Sequence, residues 1–471
     1  MVKTNHSKKG VLNIILTLMN SKDNMSIQNV RLSHLQYMLI FPLAPVFANM
    51  QGALFSDAVN FFGLDAMTLM GSAYCVGAGA LFAITNTKNM VVISRILAVT
   101  TAVAFFIWIM MTESLLSLFI AIVFIFGLGG CAACASFAYT FILNNPERLL
   151  GAAAISLFFS LNQLDSGLFF ISGFFSKTYL TALVIGTCVC LCLYKTNDFS
   201  VVENKPKAEF NAAIKLTLYF FVAHYFVEIF YTYLPGASSS EAMIANGAVG
   251  ILVVCLAIGL QLVSKYSIWN MCNLFFIAMI CTYGLYFMPE GSLLRSLALR
   301  IHGFEQIGYI AAYYLLGCVF KKYGDFRIFK LSLVTILPIS MVSYMIPGAI
   351  SLYAPANLPL VATLVSLIVF IVFILLSPAY SKHLFAAGWA DDFYGVDMIE
   401  DAQDVQFLDK LKAFNFTSRE VEVASLLLSG KNTKQIALML DISTHTVNFH
   451  IKNIYKKLDI NSRAELFARL T

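Results

Sequence analysis

Apolar stretches long enough to cross a bilayer recur from about residue 34 to residue 380 of this 471-residue chain, and then they stop. A hydrocarbon core roughly 30 Å thick takes about 20 helical residues to span. Inside it every backbone N–H and C=O must find its partner within the protein, so a series of such stretches confines the chain to a bundle of membrane helices. The composition agrees: 59% of residues are hydrophobic and 12% charged, well outside the soluble range. Spans are expected around Leu39, Gly77, Ala102, Ile125, Phe159, Ile185, Phe221, Val254, Phe276, Ala311, Ile339 and Val369, about twelve in all. The polar stretch 195–210, with Asn197, Asp198, Asn204, Lys205 and Pro206, divides the membrane domain 34–380 into halves 34–194 and 211–380.

Short loops set the orientation. Lys88, Arg95, Arg148, Lys195, Lys205, Lys207, Lys265, Lys321, Lys322, Arg327 and Lys330 fall on one side, while the loops around Asp57, Glu113, Ser238 to Glu241 and Pro355 are poor in cations. Lys177 and Arg295 dissent. The positive-inside rule therefore puts both termini in the cytoplasm. Segment 1–33 is expected there too, because its apolar run Val11 to Met19 is interrupted by Asn13, ended by Asn20 and followed by no cleavage site. The ten cysteines all fall in expected spans. Side chains two apart on a helix diverge by about 200°, so Cys188, Cys190 and Cys192 cannot converge on one ion; neither metal, cofactor nor disulfide framework is expected.

After residue 380 the character changes. Residues 381–412 hold Asp391, Asp392, Asp397, Glu400, Asp401, Asp404 and Asp409, an acidic linker that is either simply solvated or competes for the basic face that follows. From Lys412 onward nine Lys or Arg face five acids, a net +4 suited to a polyanion. Segment 413–471 reads as four short helices. Thr417 with Glu420 makes a capping box, Gly430 ends that helix, and Thr433, Ser443 and Asn461 can cap the next three. On the third, Val447, Ile451, Ile454 and Leu458 form one apolar stripe. The opposite face carries His445, Asn448, Phe449, Lys452 and Lys456, an amide, aromatic and cationic surface of the kind that reads a groove.

These residues closely resemble the LuxR-type helix-turn-helix family. The resemblance runs through Phe416-Thr417-Ser418-Arg419-Glu420, Gly430-Lys431-Asn432-Thr433-Lys434-Gln435-Ile436-Ala437, Leu440-Asp441-Ile442-Ser443, Thr446-Val447, His450 and Asn453-Ile454-Tyr455-Lys456-Lys457-Leu458. It implies that the third helix is the recognition helix, with Asn448, Phe449 and Lys452 near base edges. Asn448 stands where Lys is common in the family, and an amide that pairs with adenine favours an A·T-rich element. Thr444, Thr446, Lys434 and Lys456 are the expected phosphate contacts. Family members commonly dimerise through the last helix, which here carries Ala464, Phe467, Ala468 and Leu470; these residues serve equally well as plain core.

The six-plus-six membrane helices resemble the major facilitator architecture, whose halves surround a midplane cavity. Polar groups inside hydrocarbon are costly and are functional candidates by default: Asn162, Gln163 and Asp165 in the fifth span, His224 and Glu228 in the seventh, and Arg300, His302, Glu305 and Gln306 in the tenth. They form either a ligand site or structural pairs, for instance Arg300 with Asp165 or Glu305. The Gly-rich, Arg-bearing signature of many facilitators is missing from the loop Thr85-Asn86-Thr87-Lys88-Asn89-Met90. No catalytic motif is present, so no enzyme is expected. The expected protein is all-α: a lipid-embedded, multi-pass, bacterial inner-membrane one-component regulator. Its transporter-like domain senses a small molecule and controls binding of a homodimeric helix-turn-helix domain to promoter DNA. The alternative is a transporter with a regulatory DNA-binding appendage.

Overall fold

The computed structural model describes residues 30–39, 43, 66–111, 115–168, 173–196, 198–199, 210–263, 268–289, 291–380, 416–428, 432–440, 442–460, 462–463 and 465–466. Two compact units emerge, Met1–Phe393 and Tyr394–Thr471. Among the described residues all regular structure is helical. The linker 381–412 and most of segment 1–33 lie outside the described residues.

In the first unit the long helices are α1 (Ala66–Ala83), α2 (Met90–Ile109), α3 (Leu115–Phe141), α4 (Asn145–Leu168), α5 (Gly173–Cys192), α6 (Ala212–Thr232), α7 (Ser240–Val263), α8 (Ile268–Leu285), α9 (Leu293–Ile301), α10 (Glu305–Tyr323), α11 (Phe326–Tyr353) and α12 (Leu358–Tyr380). Every expected span centre from Gly77 to Val369 falls inside one of them. The first, Leu39, follows a one-turn helix, Leu35–Met38, and most residues from there to 65 lie outside the described set. By length and composition α2, α3, α6, α7, α8 and α12 are each long and apolar enough to cross a membrane.

Lipid and core faces separate cleanly. Val92, Ile96, Val99 and Val103 on α2 and Leu360, Leu364, Leu367 and Ile371 on α12 point outward at three- and four-residue intervals. Contiguous exposed apolar surface of that extent belongs against lipid. By contrast α10 is surrounded: every residue from Glu305 to Phe320 except Tyr313 is buried, as expected of a central bundle helix.

The tenth span is not one continuous helix. A 3-10 turn, His302–Phe304, separates α9 from α10. The cause is close contact with α7. A Cβ on Gly303 would lie 2.5 Å from the Asn246 carbonyl oxygen and 2.8 Å from the Gly250 nitrogen, while the Gly303 N–H is already given to Asn246 Oδ1 at 3.2 Å. On its other side α7 meets α4, where Ser160 packs against Gly247 and Gly250 and joins the two halves.

Several cations on the helices cap the ends of neighbouring helices. Lys321 Nζ donates to the carbonyl of Phe141, the last residue of α3, at 2.7 Å. Lys330 Nζ bonds the carbonyls of Ala83, the last residue of α1, and Thr85. Arg95 bonds the carbonyls of Cys192 and Tyr194 beyond α5. Buried Arg148 bonds the Thr140 carbonyl through Nε and Nη2 and Asn145 Oδ1 through Nη1. Cations there satisfy orphan carbonyls and complement the negative end of the helix dipole. Lys321 and Lys330 belong to the second half and cap helices of the first.

The second unit holds α13 (Ser418–Leu428), α14 (Thr433–Met439) and α15 (Thr444–Leu458) around Val423, Leu427, Ile436, Val447, Ile454 and Leu458. Thr417 and Glu420 form the expected capping box. The second cap differs from expectation: Asn432, not Thr433, accepts the Gln435 N–H, and Gln435 returns a bond to the Asn432 N–H. Ser443 caps α15 as expected. Asp459 ends that helix in the left-handed conformation at φ 55°. Gly430, Asn461, Ala464, Phe467, Ala468 and Leu470 lie outside the described residues; near the last helix, Ser462 Oγ accepts from the Glu465 N–H at 3.2 Å.

Candidate DNA-reading helix and intramembrane polar cluster

Helix α15 sorts its side chains by face. Val447, Ile454 and Leu458 are buried and Ile451 packs against them. Thr444, His445, Asn448, Phe449, Lys452 and Lys456 are exposed, and Thr446 is partly so. Phe449 leaves 59% of its surface open. Thr446 has a second duty, since its hydroxyl is 2.8 Å from Ser443 Oγ within the cap. The far end of α15 is tied to α13 by Lys457, whose Nζ is 2.6 Å from Glu420 Oε2. Burial pushes the Glu420 carboxyl up, but the Lys457 and Thr417 hydrogen bonds outweigh it and hold the group below the usual carboxylate range. The side chain of Lys434, on α14, lies outside the described residues.

In the membrane unit the structure gathers polar groups around Glu305. Its Oε1 accepts from Gln163 Nε2 of α4 at 2.9 Å and from Gln306 Nε2 at 3.0 Å. Its Oε2 is paired with His302 Nε2. His302 stacks on Tyr231, with ring centroids 3.4 Å apart and planes within 5°. The Tyr231 hydroxyl donates to the Leu299 carbonyl and accepts from Asn246. Glu228 completes the group: one ligand atom each from Glu228, His302 and Glu305 lie within 4.8 Å of one another. Tyr309 bonds the Glu228 side chain. His302, Glu305 and Gln306 are buried, while Glu228 is partly exposed.

Not every candidate joins this cluster. Arg300 pairs with Glu241 and not with Glu305, and both partners are exposed. It sits two residues before His302, so it projects from a different side of the helix. His224 is buried among the rings of Phe220, Tyr225, Phe275 and Tyr309, the last of which borders the cluster. Asn162 is on α4 beside Gln163, and its Oδ1 has no hydrogen-bond partner. The Asp165 side chain lies outside the described residues. Sequence reasoning passed over Asn246 and Tyr309. Asn246 was findable as an amide in the mostly apolar span α7; Tyr309 was one tyrosine among many.

The family described as bacterial regulatory proteins, luxR family, matches residues 415–470. The chain is 40% identical over 52 residues to the regulatory protein SdiA of Escherichia coli (strain K12), a stretch that covers 11% of this chain and 22% of SdiA. It is 37% identical over 76 residues to the transcriptional regulatory protein DesR of Bacillus subtilis (strain 168), covering 16% of this chain and 35% of DesR. The chain therefore spans well under half the length of the curated relatives it matches. Among solved structures, the human organic anion transporter MFSD10 (TETRAN) aligns with TM-score 0.50 at 13% identity, covering 78% of this chain and 98% of that one. The major facilitator superfamily transporter FucP aligns with TM-score 0.48 at 14% identity, covering 74% and 99%. At such identities the likeness is one of fold alone. The chain carries a LuxR-type helix-turn-helix domain at residues 415–470, following a multi-pass membrane domain of the major facilitator fold.

Proposed function

We propose that this protein is a membrane-resident one-component transcription regulator, in which a small molecule held by the transporter-like domain sets promoter binding by the helix-turn-helix domain. One observation carries the reading. The same chain presents an exposed amide, aromatic and cationic face on α15 and a buried polar cluster that joins α4 of one half to α10 of the other. Polar groups at such depth are costly unless used, and the junction of the halves is where this fold places ligands. A ligand that binds two arrangements of the halves with different affinity moves the equilibrium at the DNA domain.

In this reading the membrane is the bacterial inner membrane, both termini are cytoplasmic, and two chains pair on DNA. Asn448, Phe449 and Lys452 read bases, while Thr444, Thr446, Lys434 and Lys456 meet phosphates. The test is genome-wide immunoprecipitation of the intact protein beside an Asn448→Ala, Lys452→Ala double variant. Discrete peaks lost in the variant support the reading. Absence of peaks in the wild type across growth conditions overturns it in favour of a transporter with a DNA-binding appendage.

A further inference from the structure

The polar cluster holds more acceptors than its donors can fill. Gln163 and Gln306 each give an N–H to Glu305 Oε1, and the amide oxygens of both are buried without a hydrogen-bond partner. His302 turns Nε2 to Glu305 and leaves Nδ1 buried and unpartnered. Two carboxylates stand beside this ring, and among the described residues no Lys or Arg bonds either one; Arg300, the nearest in sequence, is engaged by Glu241. A buried, electron-rich site of this kind calls for positive charge.

From this geometry we infer that Glu228, His302 and Glu305 bind a divalent first-row transition cation. Carboxylate oxygen and imidazole nitrogen together suit such ions, whereas magnesium and calcium take oxygen alone. His302 and Glu305 already touch, so an ion with bonds of about 2.0–2.2 Å seats by opening that contact slightly and drawing in Glu228, whose ligand atom lies within 4.8 Å of theirs. The His302 ring is already oriented by its stack on Tyr231, which Asn246 and the Leu299 carbonyl hold in turn, as an outer shell should. Glu228 alone keeps accessible surface and marks the side from which the ion arrives. Sequence reading found no metal motif because α6 supplies one ligand and the α9–α10 junction the others, with no recognisable spacing between them.

This inference deepens the sensor reading and rests on it for its biological meaning. The test uses the full chain in detergent, stripped with a chelator and titrated with Co2+, whose visible absorption reports nitrogen and oxygen ligands. One saturable equivalent per chain is expected, displaced by Zn2+ but not by Mg2+. Glu228→Gln and Glu305→Gln should each weaken it about 10- to 100-fold, while Glu241→Gln, which removes the same charge from an exposed pair, should not. Size-exclusion profiles establish that each variant is folded. No saturable Co2+ binding, or binding equal in all three variants, overturns the site. A wild type that binds Co2+ without any change in promoter occupancy supports the site and overturns the sensor reading alone.

Discussion

Replacing Lys457 with Met separates two duties that a basic residue in a DNA-binding domain can have. Its Nζ lies 2.6 Å from Glu420 Oε2, with the lysine side chain 33% exposed and the glutamate 4%. A fully buried pair that loses one member costs about 3–5 kcal/mol, and an exposed one about 0–1 kcal/mol. This pair lies between the two, and Glu420 keeps the Thr417 N–H at 2.7 Å and the Thr417 hydroxyl at 3.0 Å. The expected loss is therefore about 1–2 kcal/mol, which for a domain of this size lowers Tm by roughly 6–12 °C. The assay is melting of the 394–471 unit followed by circular dichroism, with Glu420→Gln and the double variant completing a cycle. Because Glu420 already neutralises Lys457, the salt dependence of DNA binding should be unchanged, whereas Lys456→Met should reduce its slope by about 1. A Lys457→Met domain that melts with the wild type but loses salt dependence would refute the reasoning.

Acid should act on the same pair. Because the folded carboxyl of Glu420 titrates below the usual range, its contribution is complete above an unfolded value of about 4.3 and is lost as pH falls through the folded value; acid melts of wild type and Glu420→Gln should converge there. Lys452→Ala should lose about 1–3 kcal/mol of base discrimination, read from binding to single-base variants of a selected site, while Thr444→Ala weakens all sequences alike. Gly303→Ala places a Cβ 2.5 Å from a backbone oxygen of α7, so thermal stability of the detergent-solubilised chain should fall by about 1–3 kcal/mol or more. Asp459→Asn keeps the left-handed turn and removes a negative charge from a helix C-terminus, a gain of about 0.3–1 kcal/mol measurable by urea denaturation.

The helices from α1 to α12 were legible because lipid leaves a chain few alternatives, and α15 because its apolar stripe and its cap agree. The break at His302–Phe304 was not: the polar run Arg300, His302, Glu305 and Gln306 stands there in the sequence, but polar residues alone do not distinguish a helix break from a buried cluster on a continuous helix. Gly303 is required by the approach of α7, a tertiary fact. The same holds for Arg300, whose partner Glu241 lies on another helix. The second cap was readable and was misread: Gln435 three residues after Asn432 can close a capping box, whereas Ile436 after Thr433 cannot. The grouping of Glu228 with His302 and Glu305 needed the packing of α6 against α10.

The lysines that cap α1 and α3 have a consequence for how finely the two halves are balanced. Lys321 and Lys330 reach from one half to carbonyl ends of the other, and parting the halves at that end strips both caps. Each is worth about 0.3–1 kcal/mol at low salt, so together they favour the joined arrangement by a population ratio of roughly ten. A bound molecule reverses that ratio only with a preference of about a hundredfold for the parted arrangement. Dissolved salt weakens the same caps, which makes ionic strength at that end of the bundle an input to the balance between the halves.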